Sequence, residues 1–192
     1  MSNVNTVISF EQLVQDFDSL FRHRVFRLET LDYYDAPNEH EPYARFLAGD
    51  PADWTWREPW KRIVRETRAS GRIMQRVHIV SEPVTPYIRF ELLHVYPANV
   101  EAGEDVRILS RSKITPTLRA APDYWFFDDD RTAILLYDMQ ARIQRVKTAS
   151  GSTGDLRLLN FLHGVRDEAL KLAVPLAQYV AEHNITERMH AA

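Results

Sequence analysis

Residues 72–86, RIMQRVHIVSEPVTP, change their hydrophobic period within a few positions, and that change restricts what the chain can fold into. In RIMQRVHIV the side chains alternate, so Val77 and Ile79 share one side of a strand while Arg76 and His78 share the other. Thr85 then has the side-chain oxygen to cap a helix, and Pro86 loses nothing at the first helical position, where an amide hydrogen would be unpaired anyway. A strand running directly into a helix calls for a layered fold that mixes the two elements.

The rest of the chain repeats the theme. FEQLVQDFDSLF spaces Phe10, Leu13, Val14, Phe17, Leu20 and Phe21 as one helix face, with Ser9 as its N-cap. EPYARFLAG predicts a short helix stopped by Gly49, and Trp56, Trp60, Ile63, Val64 and Thr67 predict another that ends near Gly71. RVFRLETL, DVRILSR, RIQRVKTA and the two halves of YWFFDDDRTAILLYD read as strands, the last two joined by a turn at Asp128 to Asp130. Pro97 is expected to end the helix opened at Pro86, and KITPTLRAAPD is expected to be an extended loop. The periodicity is helical again from Leu156 until Pro175 breaks it. The expected fold class is α+β, a mainly antiparallel sheet of about five strands with helices at both termini and on one face. SGSTGD (150–155) marks a flexible hinge. It divides the chain into an α+β core domain (1–150) and a C-terminal helical segment (151–192).

At 192 residues the chain can bury enough surface to fold without staples. It has no cysteine, which removes disulfides, Cys-ligated zinc, iron–sulfur clusters and a thiol nucleophile. A net charge of −3 gives no global attraction to nucleic acid, so direct nucleic-acid binding is not expected. No apolar run is long enough for a membrane span or a secretory signal, and the expected location is the cytoplasm. There is no Gly-rich phosphate loop, GxSxG elbow or HExxH motif, and no cofactor is expected.

The densest polar stretch, RVHIVSEPVTPYIRFELLH (76–94), supplies the candidate site. Strand ends that feed helix N-termini are common places for ligands. Arg76 and Arg89 would clamp an anion, Glu82 or Glu91 would be a general base, and His78 or His94 an acid. Ser81 and Tyr87 would bind alongside them, with Trp125 and Asp128 on a neighbouring strand. The same charges would equally serve as ion pairs within the fold. The acids 128–130 suit a turn better than a metal, because adjacent side chains on a strand diverge; the pair His163 and Asp167 lacks a third ligand, and no metal is expected. The basic helix face formed by Arg57, Lys61, Arg62, Arg65 and Arg68 reads as a solvated surface.

The blocks RVHIVSEP…YIRFE, AGEDVRILSR and YWFFDD resemble those of an uncharacterised actinobacterial domain family, over about residues 10 to 148. Members of that family are often encoded beside helix-turn-helix regulators, so the resemblance implies a regulatory association with such a protein. The expected function is therefore that of a cytoplasmic binding or regulatory module. The alternatives are an enzyme acting on a phosphate-bearing substrate such as a nucleotide or nucleic acid, and a small-ligand sensor. The sequence leaves open both catalysis and oligomeric state.

Overall fold

The computed structural model describes residues 6–153 and 155–187; Gly154 of the expected hinge lies outside them, as do residues 1–5 and 188–192. Three strands, β2 (Arg24–Glu29), β3 (Ile73–Val80) and β4 (Asp105–Ser110), run parallel at the centre of one sheet. β5 (Tyr124–Phe127), β6 (Arg131–Tyr137) and β7 (Ile143–Ser150) continue it antiparallel from β2. Two short strands, β1 (Thr6–Ile8) and β8 (Val174–Pro175), close its edges, giving the order β1-β7-β6-β5-β2-β3-β4-β8.

The sheet is thus mixed and has eight strands, not about five antiparallel ones. β1 and β8, at three and two residues, are too short for any alternation to register. The parallel centre follows from the connections. α2 (His40–Leu47) and α3 (Glu58–Ala69) carry the chain from β2 back to the start of β3, and a second helical crossover carries it from β3 to β4. That crossover is α4 (Pro86–Phe90), a π-helical turn over Glu91–Val95, and α5 (Tyr96–Ala102).

Thr85 caps α4, as the sequence predicts, by accepting the Ile88 amide at 3.1 Å. Pro97 does not end the helix. It lacks the amide that would bond back four residues, and the chain absorbs the gap with a wider turn in which the Tyr96 amide bonds to the Glu91 carbonyl. The 113–123 segment contains a short helix, α6 (Pro116–Arg119), capped by Thr115. α1 (Phe10–Asp16) begins at Ser9, whose hydroxyl accepts the Gln12 amide.

Helices cover both faces of the sheet, where one was expected. Phe26, Leu28, Val77, Ile79, Tyr124 and Phe126 pack beneath Leu159, Leu162, Val165 and Ala169 of α7 (Leu156–Leu172). On the opposite face, Val25, Met74, Trp125, Phe127 and Leu135 meet Leu13 of α1, Phe17, and Val64 of α3. Farther along that face, Val80, Val106 and Ile108 pack with Ile88, Phe90 and Tyr96, and with Leu176 and Tyr179 of α8 (Leu176–Glu182). Residues on both sides of the 150–155 segment therefore share one core. Among the described residues no helix is long and apolar enough to cross a membrane.

Candidate functional site

The register of β2 against β3 sets Arg27 beside Arg76 and Glu29 beside His78. All four point to the face covered by α3, α4 and α5, because they alternate with Phe26, Leu28, Val77 and Ile79, which point to α7. Glu29 is the hub. One carboxylate oxygen accepts Arg27 Nη2 at 2.7 Å, and the other accepts Arg76 Nη1 at 2.9 Å and the Tyr96 hydroxyl at 3.0 Å. Arg76 Nε donates to Glu104 at 2.8 Å, and the Trp60 indole donates to the other oxygen of Glu104 at 3.3 Å. His78 Nε2 donates to the Leu31 carbonyl at 2.8 Å, while Nδ1 lies 2.6 Å from the Tyr96 hydroxyl and 3.3 Å from Glu91. The π turn is what brings Glu91 to this wall, as part of the irregular helix between α4 and α5.

Three cations (Arg27, Arg76, His78) thus face three carboxylates (Glu29, Glu91, Glu104) in the interior. Burial opposes charge on His78, but the Glu91 carboxylate beside it and Glu29 beyond outweigh burial and raise it to about 9. Burial likewise opposes charge on Glu29, yet Arg27, Arg76 and His78 hold it down to about 2. At neutral pH His78 is an imidazolium with both N–H groups donating, and the Tyr96 hydroxyl in turn donates its hydrogen bond to Glu29. At the edge of the network Tyr87 donates to Glu39 at 2.5 Å, and burial plus the nearby Glu91 push Glu39 up to about 7.

The other predicted site residues lie elsewhere. Ser81 and Glu82 sit at the carboxyl end of β3. Ser81 donates to Asp32 through amide and hydroxyl and accepts Arg111 Nε at 2.9 Å. Glu82 accepts the Tyr179 hydroxyl and lies 2.9 Å from His183 Nε2. Arg89 faces away and donates to the Thr186 carbonyl. Trp125 lies under the Arg27 guanidinium, 5.1 Å from its ring centre. Asp128 is at the far end of β5, in a left-handed turn, and its carboxylate accepts the amides of Arg22, His23 and Arg24. The structure therefore gathers Arg76, His78 and Glu91, with Tyr87 and Trp125 at the margins. Glu82 does not converge with Glu91.

Behind this wall the surface opens into a cleft of about 170 Å³ between α2, the 51–56 segment and α4. Phe46, Trp56, Phe90 and His94 line it, with Pro42 and Pro51, and Glu41, Arg45 and Asp53 form its polar part. Phe46 and Phe90 lie 5.7 Å apart, and Phe46 meets the His94 ring edge-to-face at 4.8 Å. Cleft and network share two elements: Glu39 precedes α2, and Phe90, Glu91 and His94 are near neighbours in sequence. Among the described residues no group of three or more metal-ligating side chains forms.

Seven of the eight strands, the helical crossovers and the network fall within one matched region, residues 10–181, and only β1 lies before it. The chain belongs to the DUF6879 family. This is a domain of unknown function, and its match spans β2 to β8 and both sides of the 150–155 segment. No curated protein matches the sequence. Within this DUF6879 domain, sequence reasoning missed Glu29, Tyr96 and Glu104, which complete the network. RVFRLETL reads as a strand, and strand alternation puts Arg27 and Glu29 on one side of it. Their burial was not legible, because it comes from β2 lying at the centre of the sheet. The cleft was missed as well, since Phe46, Trp56 and Phe90 come from three separate elements.

Proposed function

We propose that this DUF6879 chain is a binding module that docks a partner polypeptide, and that the partner is the helix-turn-helix regulator implied by the sequence resemblance, acting with it in the cytoplasm. The observation that carries this reading is the shape and lining of the cleft. At about 170 Å³ it is smaller than the 300–1,000 Å³ typical of pockets for metabolites and cofactors, and it suits one protruding side chain. Its aromatic lining is of the type that anchors protein interfaces. The polar network next to it speaks against the enzymatic and ligand-sensing alternatives. Arg76 is committed to Glu29 and Glu104, Arg89 to the Thr186 carbonyl, and within the network three cations face three carboxylates.

Mixing the purified chain with the purified regulator and measuring mass by light scattering tests the proposal. A defined complex is expected, and Thr55→Trp, which fills the cleft from an exposed position, should abolish it. Failure of the two proteins to associate would overturn the partnership. A complex that tolerates Thr55→Trp would remove the cleft from it. A rise in melting temperature with nucleotides, but not with the regulator, would favour the enzymatic reading instead.

A further inference from the structure

We infer that the cleft between α2 and α4 receives a basic side chain, arginine or lysine, from the partner polypeptide. The inference rests on the binding reading above and names what the partner must present. Two features of the lining point the same way.

The first is charge. Arg45 is the only formally cationic side chain in the lining among the described residues, and it already leans on two carboxylates, Asp50 at 3.2 Å and Asp53 at 3.4 Å. Both contacts are long, and all three side chains are nearly half exposed, so these pairs are weak and exchangeable. Glu41 makes no ion pair among the described residues. The lining itself thus sets two carboxylates, Glu41 and Asp53, against the one guanidinium of Arg45. The Thr55 amide, donated to Asp53, holds that carboxyl below its ordinary range, and burial holds His94 low, so the acid stays charged and the imidazole stays neutral. An incoming cation meets net negative charge, and an incoming carboxylate would be repelled.

The second is the apolar part of the wall. The half-buried Trp56 presents ring surface to the long apolar stem of Lys or Arg, and to a guanidinium plane, backed by the buried rings of Phe46 and Phe90. A resident example exists at the same wall, where the Arg57 guanidinium lies 5.1 Å from the Trp56 ring centre. A purely aliphatic side chain would fill the volume but leave Glu41 and Asp53 unused. A basic one engages both halves of the lining.

The test titrates acetyl-Gly-Xaa-Gly-amide peptides, with Xaa as Arg, Lys, norleucine or Glu, into the ¹⁵N-labelled full chain, following the Trp56 indole and the amides of residues 41–56 by NMR. The Arg or Lys peptide should bind about tenfold more tightly than norleucine at low salt, a difference that shrinks as salt rises. Glu41→Gln and Asp53→Asn should each weaken basic-peptide binding, and Asn keeps the acceptor for the Thr55 amide. Arg45→Gln should strengthen it, an opposite sign that general loosening of the fold would not produce. Equal binding of norleucine, shifts that map outside the cleft, or no shifts with millimolar basic peptide would each overturn the inference. If the regulator still forms its complex in that event, only the choice of side chain falls. If the peptides bind as expected but the regulator does not associate, it is the partnership that fails.

Discussion

Arg76 joins carboxylates from two distant parts of the chain, Glu29 on β2 and Glu104 just after α5, and is itself buried. Replacing it leaves both acids in the interior without their shared cation, so Arg76→Met is expected to lower stability by about 3–5 kcal/mol. A shifted denaturant midpoint with an unchanged slope would show it. His78 adds a pH dependence whose sign follows from its raised value. The imidazolium contributes fully below 6.5, and its contribution disappears as pH rises through about 9. Glu39, held up to about 7, works in the same direction: between 4.5 and 7 the unfolded chain loses this proton before the folded one does, and stability falls as pH rises. Glu29 acts on the acid side, with a contribution present above 4.5 and lost toward about 2. These three groups together place maximal stability in mildly acidic solution. Denaturation curves collected across pH should show a decline from pH 6.5 to 9 that His78→Gln flattens. An unchanged alkaline limb in that variant would mean that His78 is not the group that titrates.

Among the elements, the π turn and the end of α5 set the geometry of the network. Gly103 follows α5 with φ +113°, and this left-handed cap turns the chain so that Glu104 meets Arg76. A Cβ there would lie 2.4 Å from the flexible Arg68 side chain, which can move aside, so the larger cost is the backbone conformation. Gly103→Ala is expected to cost about 1–2 kcal/mol, read from the denaturant midpoint, and Arg68→Ala in the same chain should recover little of it. The sequence carries local signals of this kind well. The Ser9 and Thr85 caps, Pro86 as a helix start and the alternation of 72–80 all appear where their chemistry puts them. It does not carry signals that depend on pairing across long separations. The parallel register of β2 with β3 depends on the crossover through α2 and α3, and only that register sets Glu29 beside His78. The convergence of Arg76 and His78 was legible from period two. Their carboxylate partners, many residues away, were not. Pro97 misleads for a physical reason: a missing amide usually ends a helix, but here a wider turn accommodates it.

For the whole molecule, the decisive question is how much the segment after residue 150 contributes. α7 packs across the centre of one face of the sheet. Leu159, Leu162, Val165 and Ala169 are buried against Phe26, Leu28, Val77, Ile79, Tyr124 and Phe126, and the Tyr124 hydroxyl donates to the Leu162 carbonyl at 2.8 Å. Arg166 reaches from the same helix to Asp129 on the β5–β6 turn. Burying each large aliphatic side chain is worth about 1.5–3 kcal/mol, and the sheet residues beneath them would be uncovered too, so losing α7 removes roughly 10 kcal/mol. That is comparable to the whole stability of an ordinary domain, about 5–15 kcal/mol. Beyond α7, β8 pairs with β4, so truncation also exposes a second sheet edge. A chain ending at residue 150 is therefore expected to lose its near-ultraviolet circular dichroism, to bind a hydrophobic dye and to unfold without a cooperative transition. A chain ending at residue 173 keeps α7 but loses β8 and α8, and it should fold with reduced stability. If the 150-residue chain instead melts cooperatively with native aromatic signals, the sheet stabilises itself without α7, and the helix is an accessory laid over a finished core.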